Sequence, residues 1–329
     1  MEKRGKILVI RGGAIGDFIL TLPAIAALRR QFPHTQLEVL GYPHIVQLAL
    51  AGRLVDRIRS IEARALAGFF ARGGTLEPDL ADYFSECDLI VSYLFDPDEI
   101  FRTNVARCSP AQFIAGPHRP DEKQVLHASK VFLKPLERLA IFEADPVPRL
   151  KVGQTSRLTR ERVSASEKLF AGSVGAEGDR RDACVTLALH PGSGSEKKNW
   201  PEAKWSGLLQ HLIDSTPAKL LLISGEAEGE RVQRLAAALP SERIRLAHHL
   251  PLTELAMALQ ECAAFVGHDS GISHLAAALG LPVLLLWGDS VKEIWCPPQE
   301  NVVILKHART LKDIELEQVI AELDQLVSR

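Results

Sequence analysis

Short apolar runs, each ending in glycine or a polar turn, recur along the chain and alternate with stretches of helical spacing. KILVI (Lys6–Ile10) runs into glycines, as a buried parallel strand does. PAIAALRRQF (Pro23–Phe32) predicts a helix with Pro23 in its first turn, and LEVLG (Leu37–Gly41) a second strand. HIVQLALAG has helical periodicity, and DLIVSY (Asp88–Tyr93) and AQFIAG (Ala111–Gly116) continue the alternation. The pattern lapses after Phe142. EADPVPRLKVG reads as a linker, Leu158–Phe170 as a helix, and Gly172–Ala183 as a glycine-rich polar loop. No pattern stands out between Ile58 and Pro78.

The alternation then restarts. VTLALHPG (Val185–Gly192) repeats the form of KILVIRGG, and KLLLISG, RIRLAH, AAFVGHDSG and PVLLLWG follow as strands between helical runs. Strands alternating with helices imply βαβ units and parallel sheets. The same architecture is thus used twice. The expected domains are 1–150 and 184–310, joined by 151–183, with a final helix at 311–329. Ligands bind outside the carboxyl ends of such strands, so two sheets face each other across a cleft.

A length of 329 residues suits two domains, and 46% hydrophobic with 24% charged residues is an ordinary globular composition. A formal charge of -2 argues against a nucleic-acid partner. Cys87, Cys108, Cys184, Cys262 and Cys296 are scattered, with no CxxC and no Cys/His cluster, which argues against a zinc site and suits a reducing compartment. Arg11, two glycines and Asp17 interrupt the N-terminal apolar run, so it is not a signal peptide. The apolar stretch Leu275–Trp287 is too short for a membrane span. A cytoplasmic protein without a transmembrane segment is expected.

Three segments carry chemistry. RGGAIGDFILTLP (Arg11–Pro23) has glycines where a strand turns into a helix, but neither GxGxxG spacing nor the GK[ST] of a P-loop. Asp17 at that turn reads either as a helix N-terminal acid or as an acid presented to the cleft. In HPGSGSEKKNWPEAKW (His190–Trp205), a Gly/Ser turn offers amides and hydroxyls to phosphate oxygens, and Lys197 or Lys198 supplies charge. In GHDSGISHLAAALGLP (Gly267–Pro282), a helix N-terminus follows Asp-Ser-Gly and offers an anion site, or Ser270 is simply its cap. Ser270 does not satisfy the G-x-S-x-G elbow of serine hydrolases. An acid in one half opposite two phosphate-type turns in the other suits group transfer from a diphosphate donor.

GGAIGDFILTLPAIAALRRQFP, KKNWPEAKWSGLLQHL and GHDSGISHLAAALGLPVLLLWG, in this order, resemble glycosyltransferase family 9, the ADP-heptose:lipopolysaccharide heptosyltransferases. The resemblance implies the GT-B fold of two Rossmann-like, doubly wound parallel-sheet domains, with Leu311–Val327 placed to cross back onto the first. It implies Asp17 as catalytic base and Lys198, in K-x-W-P, as the lysine on the donor diphosphate. Asp269, Ser270, Gly271 and His274 match the D-[ST]-G-x-x-H donor turn. Ser193 matches a hydroxyl on the phosphates, and Glu226 a carboxylate on the ribose. Trp287-Gly288-Asp289-Ser290 departs from the family's usual Phe-Gly-Pro-Thr.

The implied reaction is inverting transfer of a heptose from an ADP-linked donor to a lipopolysaccharide core or related glycan. The alternatives are an epimerase or hydrolase of the donor, or a non-catalytic nucleotide-sugar-binding protein. No DxD or Asp/His cluster stands out, so neither a metal nor a cofactor beyond the donor is expected. Asp269 is expected to fold its carboxylate onto local amides as an Asx turn. The acceptor, lipid-linked or an oligosaccharide at the inner membrane surface, should face the first half. Arg57, Arg64, Arg119 and Lys123 are the acceptor candidates, with Arg53, Arg59, Arg72, His127 and Lys130 on the same basic segments.

Overall fold

The computed structural model describes residues 4–153, 185–195, 198–225 and 229–328. Glu226, Lys197, Cys184, the expected helix Leu158–Phe170 and the loop Gly172–Ala183 lie outside the described residues.

In the first half, β1 (Lys6–Arg11), β2 (Gln36–Gly41), β3 (Arg57–Ser60), β4 (Leu89–Ser92) and β5 (Gln112–Ala115) form one sheet in the order β3-β2-β1-β4-β5. Every pairing is parallel. In the second half, β6 (Thr186–Leu189), β7 (Lys219–Ser224), β8 (Ile244–His248), β9 (Ala264–His268), β10 (Val283–Trp287) and β11 (Val302–Lys306) order as β11-β10-β9-β6-β7-β8, again parallel throughout. Each sheet is doubly wound about its first strand. The strand order reverses between β1 and β4 in one and between β6 and β9 in the other, and such reversals open the crevices where ligands bind.

The central strands are apolar because helices cover both faces: β1, β4, β9 and β10 are buried end to end. β3 and β11 were not among the expected strands. β3 is a short edge strand, RIRS, whose arginines hide it from an apolar count. Val302-Val303-Ile304-Leu305 does have strand composition, and it forms the opposite edge of the second sheet.

Helix α1 (Ile15–Gln31) starts eight residues before the expected Pro23, which sits buried in mid-helix. The helix is buried nearly all round from Phe18 to Leu28, so its first turns show no amphipathic stripe to read. Around the rest of the first sheet lie α2 (Pro43–Ala51), α3 (Pro78–Ser85), α4 (Ile100–Ala106) and α5 (Ala128–Leu133). The second half carries α6 (Glu202–Ser215), α7 (Gly229–Ala237), α8 (Leu252–Gln260), α9 (Gly271–Ala278), α10 (Lys292–Trp295) and α11 (Leu316–Val327).

The terminal helix does not cross back. Val319, Leu323 and Leu326 of α11 join the cluster of Trp200, Trp205, Leu208 and Leu284 within the second half. The apolar stripe is satisfied there, leaving no face for the first domain. The segment read as a linker is instead docked: Leu150 N–H donates to Ala278 O (2.8 Å), and Gln260 exchanges two hydrogen bonds with the Val152 backbone (3.0 Å each).

The halves meet through α1 and α9, and one apolar cluster runs from Phe18, Ile19 and Leu22 across to Leu275 and Ala276. Glycine makes the approach possible. A Cβ on Gly271 would lie 2.7 Å from Ile15 Cβ and 3.0 Å from Gly16 N. Overpacking of this kind costs about 1–3 kcal/mol. Gly271→Ala should therefore lower the calorimetric melting temperature, and an unchanged melting temperature would mean that the halves part freely.

Candidate functional site

The α1–α9 contact closes the base of a cleft of about 1160 Å³, which opens above the carboxyl ends of both sheets. Gly12, Gly13 and Asp17 line it from one side, and Ser193, Lys198, Asp269, Ser270, Gly271 and His274 from the other.

On the first side, the chain leaves β1 through Gly13, whose φ of +95° favours glycine. A Cβ there would lie 2.9 Å from Asp17 Oδ2. Asp17 sits in the first turn of α1, and its Oδ2 accepts the Ala14 N–H (3.0 Å). It is thus the helix N-terminal acid that one reading expected, yet its side chain remains 27% exposed toward the cleft. The other oxygen lies 3.6 Å from Arg11 Nη2.

Arg11 is a site residue that pattern reading passed over as a mere interruption of an apolar run. It is buried at the end of β1, and its guanidinium donates to His118 O (2.8 Å) and Tyr93 O (3.4 Å) and stands over the Phe132 ring at 4.6 Å. Burial lowers its pKa, and the Asp17 carboxylate opposes that. Arg11 thereby ties the ends of β1 and β4, the loop after β5 and the start of α1 together behind Asp17.

On the second side, Lys198 follows the turn after β6. Its Nζ donates to Asp269 Oδ2 at 2.6 Å, and Ser290 Oγ donates to the same oxygen. The expected Asx turn is not formed. Asp269 has a cation and a hydroxyl within reach, and these satisfy its carboxylate better than neutral amides would. Ser290 belongs to the Trp287–Ser290 departure, and it supplies the hydroxyl that anchors Asp269.

Ser270 caps α9, accepting from Ser273 N–H (3.3 Å), and its hydroxyl also meets His190 Nδ1 (3.3 Å). His274, in the first turn of α9, is buried beside Gly16. Burial pushes its pKa down to about 4, with Asp269 opposing, so it is neutral at pH 7. Positive charge on this wall comes from Lys198 and the helix N-terminus. Ser193 Oγ donates toward Asn199 Oδ1 (2.8 Å) and Ser195 O (3.0 Å). Buried Trp200 pins the loop, its Nε1–H donating to Ile314 O (2.9 Å) and its backbone N–H to His268 Nε2 (2.9 Å).

The acceptor candidates separate. Arg119 lines the cleft, paired with Glu122 (2.9 Å) and stacked over Trp295 (5.3 Å). Lys123 is exposed on the same loop, and Arg57 and Arg64 are exposed on β3 and the turn beyond it; none of these three is a cleft-lining residue. His127 is not on a solvated basic face. Its Nε2 meets Cys296 O at 2.7 Å, bracing one half against the other.

Two Rossmann-like, parallel-sheet domains facing across a cleft make up the GT-B fold. The family pattern "Glycosyltransferase family 9 (heptosyltransferase)" matches residues 148–322. Lipopolysaccharide heptosyltransferase 1 of Pseudomonas aeruginosa is 40% identical over 297 residues, covering 86% of this chain and 78% of that protein. The chain belongs to glycosyltransferase family 9. A family 9 glycosyl transferase structure from Veillonella parvula superposes with a TM-score of 0.78 at 20% identity, covering 100% and 99% of the two chains. The E. coli heptosyltransferase WaaC solved with ADP does so at 0.68 and 18%, covering 98% and 99%. Among the described residues, no helix is long and apolar enough to cross a membrane, and no group of three or more His, Cys, Asp or Glu could hold a metal.

Proposed function

We propose that this glycosyltransferase moves a heptose from ADP-heptose to a hydroxyl of a lipopolysaccharide core acceptor, with inversion. The observation that carries the reading is the placement of Asp17 in the same cleft as Lys198 and the α9 N-terminus. ADP is suggested by the E. coli neighbour and the core acceptor by the Pseudomonas relative.

Asp17 takes the proton of the acceptor hydroxyl as its oxygen attacks the anomeric carbon. The bond from that carbon to the diphosphate breaks on the opposite face. The negative charge that develops on the leaving ADP is met by Lys198 Nζ and the free amides at Ser270 and Gly271. Arg119, paired with Glu122, is the acceptor candidate that lines the cleft, and it is assigned to the polar groups of the core. The acceptor is membrane-borne, so the enzyme works as a peripheral protein on the cytoplasmic face of the inner membrane.

The test is incubation of the purified protein with ADP-heptose and lipopolysaccharide from a heptose-deficient strain, read by mass spectrometry of the core. One added heptose is expected, and the yield should survive excess EDTA. Donor consumed without core modification would favour the epimerase or hydrolase reading. Loss with EDTA, restored by Mg²⁺, would place a cation where Lys198 is assigned.

A further inference from the structure

The proposed reaction is centred on the carboxyl end of β1, and the space beyond the neighbouring ends of β4 and β5 takes no part in it. A recess of about 240 Å³ opens between the turn after β4 and the residues following β5. Leu94, Phe95 and His118 line both this recess and the main cleft, so the two spaces adjoin. The Phe95 side chain at the junction is 70% exposed, and its ring centroid lies 4.6 Å from that of His118 at 59°. Phe70, 45% exposed, stands on the same cleft wall. The first half thus shows two aromatic rings to the space beside Asp17.

The recess has a built floor. Asp96 accepts the Phe101 and Arg102 N–H groups (3.1 and 3.0 Å), fixing the start of α4. Glu99 and Arg102 on its wall are paired at 2.8 Å. An aromatic face carries negative quadrupole charge and attracts the weakly positive C–H bonds of a pyranose ring. Ser92, Glu99 and Arg102 offer partners for ring hydroxyls. The arginine lining the recess is already neutralised by Glu99, which favours a neutral sugar over a phosphate. Lys198, Ser270 and Gly271 lie on the opposite half, so this is the side away from the donor anchors.

We propose that the recess bounded by Phe95 and His118 is an acceptor subsite, which holds the sugar adjoining the residue that bears the attacked hydroxyl and stacks it on Phe95. The subsite rests on the glycosyl-transfer reading above. It makes the enzyme selective for acceptors longer than one residue.

Two acceptors test it: a heptose-deficient core oligosaccharide, and the same saccharide trimmed to the residue that receives the heptose. Phe95 is exposed, so Phe95→Ala should fold. Its kcat/KM on the longer acceptor should fall roughly 3–10-fold, the range expected for loss of one aromatic stacking contact. Activity on the trimmed acceptor and the Kd for ADP should be unchanged, and Phe95→Tyr should retain the preference for length. An equal fall on both acceptors, or none on either, would overturn the subsite. Absence of product from the unmodified enzyme with both acceptors would overturn the transfer reading itself, and the subsite with it.

Discussion

Asp17→Asn should lower kcat by a factor on the order of 10²–10⁴, the range for loss of a general base, and leave ADP affinity near its original value. The substitution preserves shape. The Asn carbonyl can still accept the Ala14 N–H that Asp17 Oδ2 accepts at 3.0 Å, so the start of α1 should persist. What is lost is the ability to hold the proton taken from the acceptor. The donor anchors lie on the second half and do not involve Asp17 directly, so titration calorimetry with ADP serves as the control. The competing reading assigns Asp17 to capping alone. It predicts an ordinary rate and little change in helix stability, since Asn caps about as well as Asp. Near-normal turnover in the variant would establish that reading. Arg11 adds one consequence: without the carboxylate, its buried charge keeps carbonyl partners and the Phe132 face but loses its counterion, so some loss of melting temperature should accompany the kinetic effect.

How much of this was legible beforehand depended on burial. Central strands such as KILVI, KLLLIS and VLLLW announce themselves, because strands covered on both faces must be apolar throughout. The edge strand RIRS carries no such constraint. The start of α1 was misplaced for the opposite reason: Phe18 to Pro23 are all buried, so no polar stripe marks the helical period there. Turn chemistry was legible at Gly13, Asp17 and Ser270, where a positive φ, a helix N-terminus and a cap each select a residue type. Long-range pairs were not. Nothing local links Arg11 to the loop at His118, or Lys198 to Asp269, 71 positions apart. The expected Asx turn at Asp269 failed for that reason, since local rules cannot register a lysine delivered by another loop. The docking of α11 on its own domain likewise depends on a stripe of Val319, Leu323 and Leu326 whose partner surface no periodicity names.

Lys198→Ala should weaken ADP binding by about 10–100-fold, since a charge-assisted hydrogen bond is worth about 1.5–3 kcal/mol. The catalytic rate should fall with it, because the same charge serves the bound donor and the departing diphosphate. Its pairing with Asp269 at 2.6 Å adds a second route to the loss. The Asp269 side chain is only 11% exposed, against 42% for Lys198. Removing the lysine therefore leaves a mostly buried carboxylate facing the incoming phosphates, with the Ser290 hydroxyl still donating to it. A double-mutant cycle separates the two contributions. If Lys198 acts only by neutralising Asp269, then Lys198→Ala combined with Asp269→Asn should restore most of the ADP affinity. If Lys198 itself holds the diphosphate, the double variant should recover only the smaller part of the loss that the unpaired Asp269 carboxylate causes. The second outcome is expected, because a lysine with three donors can keep Asp269 and still reach a phosphate oxygen. Full recovery in the double variant would reduce Lys198 to a counterion and move the diphosphate contact to the α9 N-terminus.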